Sequence, residues 1–350
     1  MAIRLIHAGM GGWGRDWAVN VLPRIEEIDC IACVDPDPGS LARAQSLLDL
    51  QAGSCYVELT EALAAVAADA VLATVSVPFH VPVALAALEA GKHVLLEKPF
   101  APTLAEAAQL VETAERHRRI LMISQNYRFF PAVIATKKFV AERVLGEVGS
   151  VSIDFRRNMA TLHDSHPYRS LDQPLLMDMA IHHVDLLRTV LDQEATEVSC
   201  HVWNPPWSVI PGFSTGDATI WFDGGAVVTY RGSWDSRGPI TPWAGEWRIE
   251  CERGEIAWTS RGDLPDQLSA DRVVVRPLNG PERVVPLAPL PMYDRAGSLS
   301  AFVHAIRTGT EPPCSGRDNL RTVALMNAAI TSAVTGETVS VPTAGAYSTE

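Results

Sequence analysis

The opening of the chain permits few folds. An apolar run, Ile3–Ala8, leads directly into Gly9-x-Gly11-x-x-Gly14, and a helix-compatible segment follows at 16–22. Each glycine has a separate physical task. Gly9 allows the tight turn out of a buried strand, Gly11 lets backbone approach a pyrophosphate with no Cβ between them, and Gly14 lets the helix lie close to the sheet. The helix start then presents free N–H groups and a positive dipole end to phosphate. A glycine-rich turn alone says little, so its context decides.

That context is a second apolar run, Ile28–Val34, ending in Asp35 about 20 residues beyond the last glycine, where a dinucleotide fold places its ribose-binding acid. A carboxylate there accepts hydrogen bonds from the adenosine ribose and repels a 2′-phosphate. The next residues, Pro36, Asp37 and Pro38, supply no arginine. The expected cofactor is therefore NAD(H) rather than NADP(H).

Strand patterns at 3–8, 28–34, 70–75, 93–97 and 120–124 alternate with helical ones at 14–22, 39–50, 60–67, 80–90 and 103–118. Thr103 with Glu106 reads as a capping box, and Gly91 as a helix terminator. Such alternation predicts parallel strands joined by crossovers, a Rossmann-type doubly wound sheet over residues 1–124. At 350 residues the chain exceeds one ordinary core, and beyond 147 the pattern changes. Asp223-Gly224 and Gly254 separate alternating strands like hairpin turns. Residues 125–350 are thus expected to form an α+β domain with a largely antiparallel sheet, interrupted by a helix at 175–191 and closed by helices at 294–307 and 317–334. Residues 159–173 and 259–271 read as loops.

Ligands of doubly wound sheets sit beyond the carboxyl ends of the strands, so strand ends carry weight. Glu97-Lys98-Pro99 follows one, and Gln125-Asn126-Tyr127-Arg128-Phe129 follows the next. The helix at 175–191 is apolar over most of its circumference, yet Asp178, His182 and Asp185 recur on one stripe at helical spacing. His183 points roughly 100° away from His182, toward apolar neighbours. Two carboxylates and an imidazole on a buried stripe are costly unless they pair with each other or meet a polar ligand. A satisfied structural network is the bland alternative. The alignment favours a general base with an orienting carboxylate.

Together these residues resemble the glucose-fructose oxidoreductase/inositol dehydrogenase/MocA (Gfo/Idh/MocA) oxidoreductases over nearly the whole chain. The resemblance is carried by Gly9-x-Gly11-x-x-Gly14, His80 with Ala84-Leu85, the run Ala90-Gly91-Lys92-His93-Val94, Glu97-Lys98-Pro99, Asn126-Tyr127-Arg128-Phe129 and Asp178-x-x-x-His182-x-x-Asp185. It implies that the sheet of residues 125–350 is open-faced, mixed or antiparallel. It implies Lys98 as a substrate-contacting lysine, His182 as acid/base and Asp178 as its partner. It also implies cofactor contacts from Gly9, Met10, Gly11, Gly12, Trp13, Gly14, Asp35, His80, Glu97, Lys98, Asn126 and Arg128. Two departures stand out: Val75-Ser76-Val77 replaces the family's Thr-Pro-Asn, and Ala180 replaces a glycine.

The reading that follows is a cytoplasmic NAD-dependent dehydrogenase acting on the secondary alcohol of a sugar, inositol or related polyol, as a homo-dimer or homo-tetramer. The alternatives are a redox-neutral enzyme with tightly held NAD, of glycosidase or epimerase type, and a non-catalytic dinucleotide-binding regulator. A formal charge of −12 disfavours nucleic acid or an anionic membrane as partner. No signal peptide is expected, and the apolar stretch 62–77 is too short to span a bilayer and contains Asp69. No metal is expected, although His163-Asp164-x-His166 invites one. Cys30-x-x-Cys33 lies inside a strand and reads as packing. Trp203, Trp207, Trp234, Trp243 and Trp247 are expected to fill core or interface, with one or two as candidates for sugar stacking. The open face of the 150–290 sheet is expected to be rich in tryptophan and β-branched residues, and covered by another subunit.

Overall fold

A computed structural model describes residues 2–159 and 171–343. The N-terminal strands are β1 (Ile3–Ala8), β2 (Ile28–Val34), β3 (Cys55–Tyr56), β4 (Ala70–Ala73), β5 (His93–Leu96) and β6 (Leu121–Ile123). They form one sheet in the order β3-β2-β1-β4-β5-β6, and every pairing in it is parallel. Helices α1 (Gly12–Asn20), α2 (Pro38–Leu47), α3 (Leu59–Ala65), α4 (His80–Glu89) and α5 (Leu104–Arg116) supply the crossovers. This is the Rossmann order, which reverses between β1 and β4 and opens a crevice there. The apolar run of β1 is consumed by burial, with Leu5 and Ile6 fully covered. The Thr103–Glu106 capping box forms at the start of α5. Strand β3 was not expected; it is two residues long, too short to show alternation.

The rest of the chain adds α6 (Pro131–Ala141), β7 (Val148–Arg156), a π-helical turn (Leu175–Ala180), α7 (Ile181–Leu191), β8 (Ala195–Trp203), β9 (Thr215–Phe222), β10 (Val227–Ser233), β11 (Glu246–Cys251), β12 (Gly254–Thr259), β13 (Arg272–Pro277) and β14 (Arg283–Val284). Then come α8 (Asp294–Thr308), α9 (Gly316–Thr335) and β15 (Val339–Ser340). The second sheet has nine strands in the order β14-β13-β12-β11-β7-β10-β9-β8-β15. Its hairpins fall where the glycine signals place them, β9–β10 around Asp223-Gly224 and β11–β12 before Gly254. The pairing of β7 with β10 is parallel, so the sheet is mixed.

The compact units are not two contiguous stretches. Among the described residues, the first comprises those up to Asn126 together with 292–323, and the second comprises 127–291 together with 324–343. The expected division near residue 124 treats 292–323 as part of the second domain.

The open face of the nine-stranded sheet departs from expectation. Trp247 and Trp258, cross-strand partners on β11 and β12, stack with ring centroids 4.5 Å apart and are buried, as is Trp234. The alternating register then sends their neighbours outward, and those are polar. Arg231 pairs with Asp154 at 2.6 Å and Arg156 with Glu246 at 2.7 Å. A groove of about 640 Å³ on this face is lined by Ser152, Asp154, Glu246, Arg248, Arg272 and Arg276, among others. Trp203 and Trp207 are exposed.

Candidate active site

The glycine loop behaves as its spacing requires. Gly9 has φ +91°, and a Cβ there would sit 2.6 Å from the Val75 nitrogen. A Cβ on Gly14 would lie 1.8 Å from the Gly9 carbonyl oxygen, so helix α1 could not approach the sheet with any larger residue. A Cβ on Gly11, by contrast, would meet nothing within 4 Å, which leaves room for a phosphate on its exposed side. Thr74, at the end of β4, closes the loop from below, donating from Oγ1 to the Gly9 carbonyl at 2.6 Å. His7 Nε2 in turn lies 2.9 Å from the Thr74 hydroxyl.

Asp35 lies past the end of β2. Its Oδ2 accepts from the Met10 N–H at 2.6 Å and its Oδ1 from the Asp37 N–H at 2.9 Å. The carboxylate is therefore fastened to the glycine loop, and each oxygen keeps a lone pair for a hydroxyl. Met10 is fully buried, whereas Gly11, Gly12 and Trp13 lie on the surface. These residues fit a dinucleotide.

Two further strand ends are tied together by His80. Its Nδ1 lies 2.7 Å from the Pro99 carbonyl and its Nε2 3.1 Å from the Val75 carbonyl. Burial lowers its pKa. The neutral ring has one N–H, so it donates to one of the two carbonyls. Here His80 positions the segments beyond β4 and β5. Glu97 is buried; its Oε1 accepts from the Trp17 indole at 2.8 Å and its Oε2 faces the Lys98 N–H at 3.2 Å. Burial raises its pKa, opposed by indole donors, Lys98 and Arg295. Lys98 itself is half-buried.

Sequence reasoning missed the contribution of residues 292–323 to this unit. Buried Asn126 donates from Nδ2 to Asp294. Arg295 bridges to Asp16 and lies over the Trp13 ring, 4.3 Å from its centroid. In the sequence, Asp294-Arg295 reads as an ordinary charged helix start. The one structural sign is Asp294 at φ +57°, a left-handed conformation that aspartate tolerates better than most residues.

In the second unit the helix at 175–191 is not regular. Residues Leu175–Ala180 form a π turn before the α-helix begins at Ile181. Bonding i to i+5 widens the turn, and such bulges concentrate at functional sites. Residues four apart remain close to one turn apart, so Asp178 and His182 stay neighbours along the helix. Asp178 is half-buried and His182 buried. The His182 ring lies flat on Tyr127, with centroids 4.0 Å apart and planes 4° apart. Asp185 is engaged by an arginine. It takes a two-pronged hydrogen bond from Arg128, Nε to Oδ2 at 2.6 Å and Nη2 to Oδ1 at 2.5 Å, which ties the Tyr127-Arg128 segment to α7.

His183 has a separate role. Its Nε2 lies 3.0 Å from the Trp243 carbonyl and its Nδ1 3.2 Å from the Tyr230 hydroxyl. A carbonyl can only accept, so Nε2 carries the proton and Nδ1 accepts from the tyrosine. Burial drives its pKa down to about 4. The ring stays neutral and structural.

The first unit therefore brings Gly9–Gly14 together with Asp35, and Glu97 with Trp17. The second joins Arg128 to Asp185. Lys98 belongs to the first unit, and Asp178 and His182 to the second. His163, Asp164 and His166 lie outside the described residues. Among the described residues no group of three or more His, Cys, Asp or Glu is placed to hold a metal ion, and no helix is long and apolar enough to cross a membrane. Cys33 faces Cys55 across β2 and β3, sulfurs 3.4 Å apart. Burial pushes the Cys30 thiol up to about 12 and the Cys33 thiol further, so these cysteines are protonated packing groups.

Comparison with known proteins follows the same two halves. Residues 3–125 match the family described as "Oxidoreductase family, NAD-binding Rossmann fold", and residues 133–257 match the GFO/IDH/MocA C-terminal domain. The uncharacterized protein y4oX of Sinorhizobium fredii is 25% identical over 346 residues, 97% of this chain and 96% of that protein. D-apiose dehydrogenase of Paraburkholderia graminis is 26% identical over 328 residues, 90% of this chain and 84% of the relative. The fold is shared with an oxidoreductase from Agrobacterium radiobacter crystallised with NAD+, L-tartaric acid and magnesium. The TM-score is 0.85 at 21% identity, covering 97% of this chain and 99% of that one.

Proposed function

The chain belongs to the Gfo/Idh/MocA oxidoreductase family, and on that premise we propose that it is an NAD-dependent dehydrogenase oxidising a secondary alcohol of a sugar, inositol or related polyol. The observation that carries this reading is His182, a buried imidazole held flat against Tyr127 just after a π turn. Its neighbour His183 is tied off as a neutral structural group. The similarity to D-apiose dehydrogenase supports a sugar-like substrate.

Bound NAD would supply the hydride acceptor; the protein's task is to hold the alcohol and manage its proton. His182 takes the hydroxyl proton on a ring nitrogen, a transfer suited to an imidazole near neutral pH. Asp178, four residues earlier, orients that ring and offsets the imidazolium charge. Lys98 donates to the alcohol oxygen and stabilises negative charge as the proton leaves. Gly9–Gly14 hold the pyrophosphate and Asp35 the adenosine ribose. Arg128 serves the site through Asp185, by fixing Tyr127 beneath the catalytic imidazole.

The test is a panel of sugars and inositols assayed with NAD and NADP, following absorbance of the reduced cofactor. We expect turnover with NAD, tighter binding of NAD than NADP, and a narrower gap in Asp35→Ser. Equal wild-type affinity for both cofactors would sink the Asp35 assignment. Substrate conversion without accumulation of reduced cofactor would favour the redox-neutral alternative.

The proposal extends to assembly. The polar, ion-paired open face of the nine-stranded sheet, with its groove, is the surface we assign to a second copy of the chain in a homo-dimer or homo-tetramer. Sedimentation should show an oligomer at micromolar concentration; a monomer would contradict it.

A further inference from the structure

The second unit holds two cations that the chemistry above does not use. Arg157 is 6% exposed, and only its Nη1 is engaged, 3.0 and 3.1 Å from the two oxygens of Asp263. Its Nε is buried with no acceptor among the described residues. Arg261 has less. Among the described residues its guanidinium meets no hydrogen-bond acceptor, and its Nε is buried. Both lie against one indole, with Arg157 Cζ 4.1 Å and Arg261 Cζ 5.5 Å from the Trp243 ring centroid.

This pair is built into the catalytic helix from two sides. Arg261 Cζ lies 4.5 Å from the Tyr127 ring centroid. His182 covers Tyr127 in parallel at 4.0 Å, so the guanidinium occupies the opposite face of that ring. The Trp243 carbonyl, in turn, is held by His183. Arg261 is also presented deliberately: its backbone is left-handed at φ +56°, a conformation uncommon for arginine. Asp271 secures that backbone, its Oδ1 accepting from the Arg261 N–H at 3.1 Å and from the Ser260 hydroxyl at 2.8 Å. Its Oδ2 accepts from the Ala132 N–H at 2.9 Å.

We propose that Arg157 and Arg261 recognise a carboxylate on the substrate, so that the alcohol oxidised is carried by a sugar acid or related hydroxy acid. The inference rests on His182 being the acid–base group and names the substrate class of that site. Planar guanidinium forks stacked on rings suit a carboxylate, whose two oxygens accept side by side. A purely neutral polyol would leave the buried Nε–H groups without a charged partner.

The test is calorimetric titration of the NAD-loaded protein with D-gluconate, D-galacturonate, D-glucose, myo-inositol and glucose 6-phosphate. We expect at least one acid to bind the wild type about tenfold or more tightly than the neutral sugars, the scale of one charge-assisted hydrogen-bond pair. Arg261→Gln should abolish that preference with neutral binding and melting temperature unchanged, and Arg261→Lys should restore part of it. Arg157→Gln provides a second route should Arg261→Gln fold poorly. Equal wild-type binding of acids and neutral sugars, stronger binding of the sugar phosphate, or equal weakening of both classes in Arg261→Gln would each overturn the assignment. Turnover of neutral polyols with no acid preference defeats this inference and leaves the dehydrogenase standing. Acid binding that depends on Arg261 without any turnover keeps the inference and removes the dehydrogenase.

Discussion

Replacing His182 with alanine should lower kcat by about a hundredfold or more, the usual scale for losing a positioned acid–base group. Affinity for NAD should hardly change, because adenosine and pyrophosphate contacts are assigned to Gly9–Gly14 and Asp35 in the first unit. His183→Ala gives the contrast. That ring is neutral and bonded to Tyr230 and Trp243, so its loss should lower the melting temperature while leaving most of the turnover. Asp178→Asn should fall between the two, with the imidazole present but less well oriented, and Lys98→Met should also depress kcat. Steady-state kinetics on the four variants, with thermal melts to check folding, decides the matter. A dead His183→Ala beside an active His182→Ala would reverse the assignment of base and strut.

The second large effect is on stability. Arg128 and Asp185 form a buried pair, their side chains 8% and 1% exposed. Asp185→Ala leaves the guanidinium buried without its counter-charge, which costs about 3–5 kcal/mol. In a unit of this size that lowers the melting temperature by roughly 10 °C. The double variant Arg128→Met/Asp185→Leu should recover most of the loss, because replacing both charges by apolar groups removes the desolvation penalty as well as the attraction. Urea melts of wild type, single and double variants test both statements. A single variant as stable as wild type would mean that water reaches the pair.

The sequence is most legible where structure is local. Glycine spacing, strand–helix alternation and the Thr103–Glu106 box are short-range signals, and five of the six parallel strands follow from them. Asp35 was found the same way, because its distance from the glycines is set by one βαβ unit. The parallel pairing of β7 with β10 was hidden, since neither strand records its distant partner. The π turn at 175–180 was hidden because apolar side chains recur almost identically around a slightly wider turn. The facing of His182 and His183 survived that change, whereas the third member of the stripe, Asp185, was claimed by an arginine 57 residues earlier. The open face was expected to be rich in tryptophan, whereas Trp247 and Trp258 lie in the core, because period-2 alternation separates two faces but does not say which one is wet.

The split of the first unit across the chain has a consequence for the order in which the molecule can be made. Edge strand β6 receives its outer partners from late in the chain: the Ile123 N–H bonds the Cys314 carbonyl at 2.9 Å, and Met122 bridges to Ser315. Asn126 waits likewise for Asp294, and Trp13 for Arg295. A ribosome delivers those residues only after more than 150 others have followed β6. Domains generally fold from the N-terminus as they emerge, yet this Rossmann sheet must pass the synthesis of the whole intervening unit with one edge unfinished. The nascent chain carries its glycine loop early, and Arg295, which lies over Trp13 of that loop, only late.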